Sequence, residues 1–159
     1  MTPAVVALER AGIDFRVHAY QHDPRSPSYG LEAAEALSLP PERVYKTLIA
    51  ALGDGTLVTA VVPVNAELDL KKLAAAAGAK RAAMAKPADA ERATGYVTGG
   101  ISPFGQKRRL PTYLDDSARD KETIHVSAGR RGLEIELAPA ALIQQCGGRF
   151  AAIARAGGR

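Results

Sequence analysis

The sequence predicts an α/β (α+β) fold, with helices flanking a mixed β-sheet. Three observations predict it. Runs of helical spacing and runs of alternating apolar residues follow one another along the chain instead of falling into separate blocks. Two glycine-rich turns, Gly53-Asp54-Gly55 and Ala128-Gly129-Arg130-Arg131-Gly132, each lie between strand-like runs, and a hairpin forces antiparallel pairing. No internal repeat or linker divides the 159 residues, so a single domain over residues 1–159 is expected.

The elements follow in order. Thr2 and Pro3 open a helix as cap and first-turn residue, Val5, Val6, Leu8 and Ala11 give it an apolar stripe, and Gly12 stops it. Phe15 to Tyr20 alternates like a half-buried strand. Residues Gln21 to Gly30 carry two prolines among polar residues and read as a loop. Leu31 to Leu39 reads as a helix ending at Pro40-Pro41. Val44 to Leu52 and Leu57 to Val64 read as strands, the second rich in β-branched residues. A helix is expected from Leu68 to Gly78, a short strand at Arg81 to Met84 and a helix at Pro87 to Thr94, broken by Gly95. Thr112 to Leu114, Thr123 to Ser127 and Leu133 to Leu137 read as strands, Pro139 to Gln145 as a helix, and Phe150 to Arg155 as a turn.

Composition narrows the function classes. Apolar residues make up 47 %, enough for a packed core, although much of this is alanine. The net charge of +4 is compatible with a polyanionic partner without requiring one. The lone Cys146 cannot form an internal disulfide, and it reads as a packing residue near a helix end. The N-terminus has neither the charged start nor the apolar run of a signal peptide, and no run reaches the ~20 residues of a membrane span. A cytoplasmic protein is expected.

Few residues carry an obvious chemistry. His18 and His22 are four apart on a strand and a loop, where that spacing does not converge, and no HExxH or paired-cysteine motif exists. No metal and no cofactor are expected. No Walker or dinucleotide glycine motif is present. Lys46 stands inside an apolar strand, sharing a face with Val44 and Leu48. Such a lysine either snorkels to water or points into a cavity. The Gly99-Gly100 loop is either a tight connection or a place where backbone N–H groups meet a ligand. Lys71-Lys72, Lys107-Arg108-Arg109 and Arg130-Arg131 form basic clusters with few aromatic neighbours, which argues against a base-stacking platform.

Several stretches together carry a resemblance: Val44-Tyr45-Lys46-Thr47-Leu48, Leu68-Asp69-Leu70-Lys71-Lys72, Gly99-Gly100-Ile101-Ser102-Pro103-Phe104-Gly105-Gln106-Lys107, and Val126-Ser127-Ala128-Gly129-Arg130-Arg131-Gly132-Leu133. With Thr2-Pro3-Ala4, His18 to Pro24 and Thr94-Gly95-Tyr96, they run in order over nearly the whole chain and resemble the YbaK/EbsC family of Cys-tRNA(Pro) deacylases, similar to the editing domain of some prolyl-tRNA synthetases. The resemblance implies a curved, barrel-like mixed sheet and hydrolysis of the ester joining an amino acid to the tRNA 3′ end. It implies catalytic roles for Lys46, Gly99, Gly100 and Ser102, and substrate contacts from Tyr20, Tyr29, Thr47, Ile101, Ser127 and Glu134. Glu134 stands where many relatives carry Asp, and Tyr29 where many carry Phe. The implied mechanism needs no protein nucleophile: the substrate cysteine thiol attacks its own ester. Implied partners are aminoacylated proline tRNA and prolyl-tRNA synthetase, with no membrane. A sibling deacylase for Ala-tRNA(Pro) and a non-catalytic tRNA- or synthetase-binding module are the alternatives.

Overall fold

The computed structural model describes residues 1–26 and 29–157; of Tyr29 it describes the backbone alone. The first helix, α1 (Pro3–Ala11), forms as its capping residues dictate. The Thr2 hydroxyl accepts the Val5 N–H at 3.3 Å, and Gly12 closes the helix in the left-handed conformation. Strand β1 (Arg16–Ala19) and helix α2 (Tyr29–Ala36) follow. After a 3₁₀ turn at Pro41–Arg43 come the hairpin strands β2 (Tyr45–Leu52) and β3 (Leu57–Pro63). Next are β4 (Ala66–Leu68), α3 (Leu70–Ala76), β5 (Ala82–Met84), α4 (Pro87–Thr94) and β6 (Thr112–Asp115). The chain ends with β7 (Ile124–Arg130), β8 (Leu133–Leu137), α5 (Pro139–Cys146), β9 (Arg149–Ala151) and β10 (Ala154–Ala156).

The strands form three sheets, ordered β5-β2-β3-β6-β9, β1-β8-β7 and β10-β4. The five-stranded sheet is mixed: β2 pairs antiparallel with β3 and β5, whereas β3–β6 and β6–β9 are parallel. Both hairpin expectations hold, since β7 and β8 also pair antiparallel. The mixed α/β class therefore stands. None of the sheets closes on itself, so the barrel-like sheet is not what the strand pairing describes. The large and three-stranded sheets meet at a parallel bridge between Val44 and His125.

Strand β3 is buried on both faces, which explains its nearly continuous apolar sequence, interrupted only by the buried Thr59. Val61 joins the larger core with Tyr45, Ile49, Leu114, Ile135 and Leu142. Val58, Ala60 and Val62 face a second core that includes Leu73 and Ile153. Each fully buried Val, Leu or Ile contributes about 1.5–3 kcal/mol over its exposed state.

Some boundaries differ from the sequence reading. Helix α2 starts two residues before Leu31, inside the expected loop, and ends at Ala36. Leu68 belongs to a strand, because Asp69, whose carboxylate accepts the Lys72 N–H at 3.0 Å, is the cap that starts α3. Strand β7 extends to Arg130 through a register shift, so the expected turn shrinks. The C-terminal stretch forms two strands instead of a turn. The buried Asp115 carboxylate anchors them by accepting the N–H groups of Ile153 at 3.0 Å and Ala154 at 2.9 Å. Burial opposes the ionisation of Asp115, but these bonds and those from Ser117 hold its carboxyl below the usual range. Among the described residues no helix is long and apolar enough to cross a membrane.

Candidate active site

A cavity of about 450 Å³ lies where the two larger sheets meet. Strand β5 pairs only with Ala50–Leu52, so the earlier half of β2 is left to form a cavity wall. Lys46 stands on that wall, half-buried and, among the described residues, without an ion pair. Burial holds its ammonium below the usual lysine range, and Glu67 partly offsets this. Of the two placements open to it, the structure adopts the cavity. Its neighbour Thr47 also lines the wall, and the Thr47 Oγ1 is shielded from solvent with no partner among the described residues.

The segment after α4 forms the roof. Val97 to Gly100 makes a type II turn in which the Gly100 N–H donates to the Val97 carbonyl at 2.9 Å and Gly99 takes φ +96°. A side chain at position 99 would be strained there, which is why glycine stands at it. The turn is tied down on both sides. The Thr98 N–H donates to Glu91 of α4 at 2.9 Å, and the Tyr96 hydroxyl donates to the Phe104 carbonyl at 2.6 Å. Burial pushes the Tyr96 hydroxyl to about 12, so it stays a donor.

The opposite wall is the polar face of the three-stranded sheet. Ser127 and Glu134 are direct cross-strand partners there, and both line the cavity. Glu134 is only 6 % exposed, and its Oε1 has no hydrogen-bond partner among the described residues. Burial pushes its carboxyl up to about 8, so at neutral pH it is mostly protonated when the cavity is empty. Tyr20 closes one end, with its N–H on the Gly132 carbonyl at 2.9 Å. Arg130 and Arg131 complete the rim. The Arg131 guanidinium reaches the Ser26 carbonyl at 3.1 Å and Glu32 of α2 at 3.5 Å, fastening the loop after β1 to the β7–β8 turn.

The structure thus brings together seven of the residues singled out in the sequence: Tyr20, Lys46, Thr47, Gly99, Ile101, Ser127 and Glu134. Two others sit apart from the cavity lining. Gly100 does not line the cavity; its N–H is spent on the turn, and it is glycine because a Cβ would lie 2.9 Å from the Arg130 Cα. Ser102 is fully buried behind the loop, where its hydroxyl accepts the Phe104 N–H at 3.3 Å. It stabilises a turn and is not placed to touch a ligand in the cavity. The Tyr29 side chain lies outside the described residues. Sequence reasoning treated Arg130 and Arg131 as surface charge and missed their place on the rim; their position in a hairpin turn was the available signal.

The histidines do not enter the cavity. His22 pairs with Glu32 at 2.8 Å. His18 pairs with Glu136 at 2.8 Å, whose second oxygen accepts the Thr123 hydroxyl at 2.6 Å and lies 3.7 Å from Arg43. His125, 3 % exposed, packs beside His18. Cys146 is buried and donates to the Pro103 carbonyl at 3.4 Å, and burial pushes its thiol to about 12. It is a packing residue, as its sequence position suggested. Lys71, Lys72 and the Lys107-Arg108-Arg109 cluster are exposed.

Comparison with known proteins places this geometry. Residues 27–144 match the family model of the aminoacyl-tRNA editing domain. EbsC of Enterococcus faecalis, named as a candidate Cys-tRNA(Pro)/Cys-tRNA(Cys) deacylase, is 48 % identical over 120 residues, covering 76 % of this chain and 73 % of EbsC. Two solved structures share the fold. One is described as a candidate trans-editing enzyme for prolyl-tRNA synthetase (TM-score 0.85, 24 % identity, 96 % of this chain and 95 % of that one). The other is the hypothetical protein APE2540 (TM-score 0.86, 22 % identity, 96 % and 99 %). With three-quarters of its length matched by the family model and nearly half its residues shared with EbsC over the aligned region, the chain belongs to the aminoacyl-tRNA editing domain family.

Proposed function

We propose that this protein, acting as one domain in the cytoplasm, removes cysteine wrongly attached to the proline tRNA. The observation that carries the reading is the cavity itself. It joins a half-buried lysine, a glycine N–H without a partner among the described residues and an unpartnered buried carboxyl, in a chain 48 % identical to EbsC over 120 residues.

The reaction needs positioning more than a protein nucleophile. The substrate's thiol sulfur attacks its own ester carbonyl carbon. A C–S bond forms, the C–O bond to the tRNA ribose breaks, and the thiol proton passes to the departing ribose oxygen. The products are free tRNA and a cyclic thiolactone. Fixing the thiol against the carbonyl supplies the gain of an intramolecular reaction. The Gly99 N–H is the donor for the carbonyl oxygen as charge develops on it. Lys46 takes the phosphate of the terminal nucleotide or the aminoacyl carbonyl. Selection rests on the thiol, because discrimination by size is worth only ~1–3 kcal/mol per methylene.

Recognition of the tRNA body falls to the exposed basic clusters and to docking on prolyl-tRNA synthetase. The test of the chemistry is Cys-tRNA(Pro) whose thiol has been methylated. Turnover should be abolished although the added methyl is small. Hydrolysis at an undiminished rate would remove the thiol from the mechanism and favour direct attack by water.

A further inference from the structure

We propose that Glu134 reads the free α-amino group of the aminoacyl substrate, so that the site accepts an aminoacyl ester and discriminates against the same ester lacking that amine. The inference rests on the reading of the cavity as an aminoacyl-tRNA site.

Charge is the first argument. Among the described residues the cavity lining holds three cationic side chains, Lys46, Arg130 and Arg131, and one carboxyl, Glu134. The acylated 3′ end of a tRNA has the complementary pattern: several phosphates and one amine that becomes an ammonium. The amine lies within two bonds of the reacting carbonyl, so its partner must stand deep in the cavity. Glu134 does, at 6 % exposure, while Arg130 is exposed at the rim.

Satisfaction of polar groups is the second. A buried acceptor without a donor is costly, and native proteins rarely keep one without reason. The Glu134 Oε1 is such an acceptor. Its cross-strand partner Ser127 accepts the Gly129 N–H at 3.1 Å and makes no hydrogen bond to Glu134 among the described residues. A ligand that brings N–H donors supplies what the Glu134 Oε1 lacks. An amine does so and a thiol or a methyl group does not. When the amine arrives, the proton held by the carboxyl and the lone pair of the amine can combine into an ion pair without either group being charged and unpaired.

The experiment measures affinity for two non-hydrolysable mimics by calorimetry. One is 3′-deoxyadenosine 5′-phosphate bearing a 3′-cysteinylamino group. The other is its 3-mercaptopropionylamino counterpart, which lacks only the α-amine. Each is titrated into the wild-type protein and into Glu134→Gln, with thermal melting to confirm that the variant is folded. The wild type should prefer the amine-bearing mimic by roughly 10-fold or more, the worth of a hydrogen bond to a charged group. Glu134→Gln should bind the two within about 3-fold of each other. Equal affinity of the wild type for both mimics, or a preference that survives in Glu134→Gln, would overturn the assignment while leaving the site intact. A variant weakened equally toward both mimics would also overturn it, giving Glu134 a role in cavity shape. Failure of the wild type to bind either mimic would overturn both this inference and the aminoacyl-tRNA reading beneath it.

Discussion

Replacing Glu134 by Gln should change how stability depends on pH. The native carboxyl is 6 % exposed, lacks a partner on Oε1 among the described residues and titrates near 8; the unfolded chain titrates it near 4.5. Between those values the folded protein holds a proton that the unfolded chain has lost. Stability therefore falls as pH rises across this window, by about 1.4 kcal/mol per pH unit from this one group. Gln fills nearly the same volume and does not titrate. The other groups facing the cavity, Tyr20, Lys46, Arg130 and Arg131, are present in both proteins and cancel in the difference. The unfolding free energy of Glu134→Gln minus that of the wild type should thus rise by roughly 3 kcal/mol from pH 5 to pH 7 and level off above about pH 8. The chain has no Trp, so urea unfolding at pH 5, 6, 7 and 8 is followed by far-UV circular dichroism. Parallel curves for the two proteins would mean that the native carboxyl titrates in its ordinary range, and would refute the burial argument.

Three further substitutions separate roles within the site. Lys46→Ala should lower kcat/KM for deacylation by roughly 100-fold or more while changing stability by less than about 1 kcal/mol, since the lysine makes no ion pair among the described residues; lost stability with full activity would remove it from the chemistry. Gly100→Ala should cost about 1–3 kcal/mol in urea unfolding, because its Cβ would meet the Arg130 backbone at 2.9 Å; an unchanged midpoint would show that the two segments part easily. Ser102→Ala should cost about 1 kcal/mol through the lost turn bond and leave kcat nearly unchanged; a large fall in kcat at retained stability would return this hydroxyl to the reaction.

The parts of the fold legible in the sequence are those fixed by local chemistry. Helix α1 has its Thr-Pro start and glycine stop, α4 its proline start and Gly95 stop, and β8 alternates between a glycine turn and the Pro139 start of α5. The short strands β4, β9 and β10 were not legible. Ala154 pairs with Leu68, far away in sequence, and nothing in an alanine-rich tail announces such a partner. The same division holds in the site. Lys46 could be found as a charge inside an apolar strand, and Glu134 through the resemblance. Ser102 was singled out through the resemblance, and its full burial behind the loop is not legible in the sequence. Gly100 was read as a donor beside Gly99, although a type II turn consumes one N–H of such a pair. The unpartnered atoms of Thr47 and Glu134 are properties of the packed cavity and leave no mark on the sequence.

Deacylation of proline tRNA charged in turn with cysteine, alanine and serine tests the proposed activity most directly. Rapid loss of cysteine, with serine and alanine retained, is the result expected of thiol-assisted chemistry in this cavity. Preferential loss of alanine would assign the site to water attack on a small amino acid, and no loss from any of the three would contradict the claim that this protein is a deacylase.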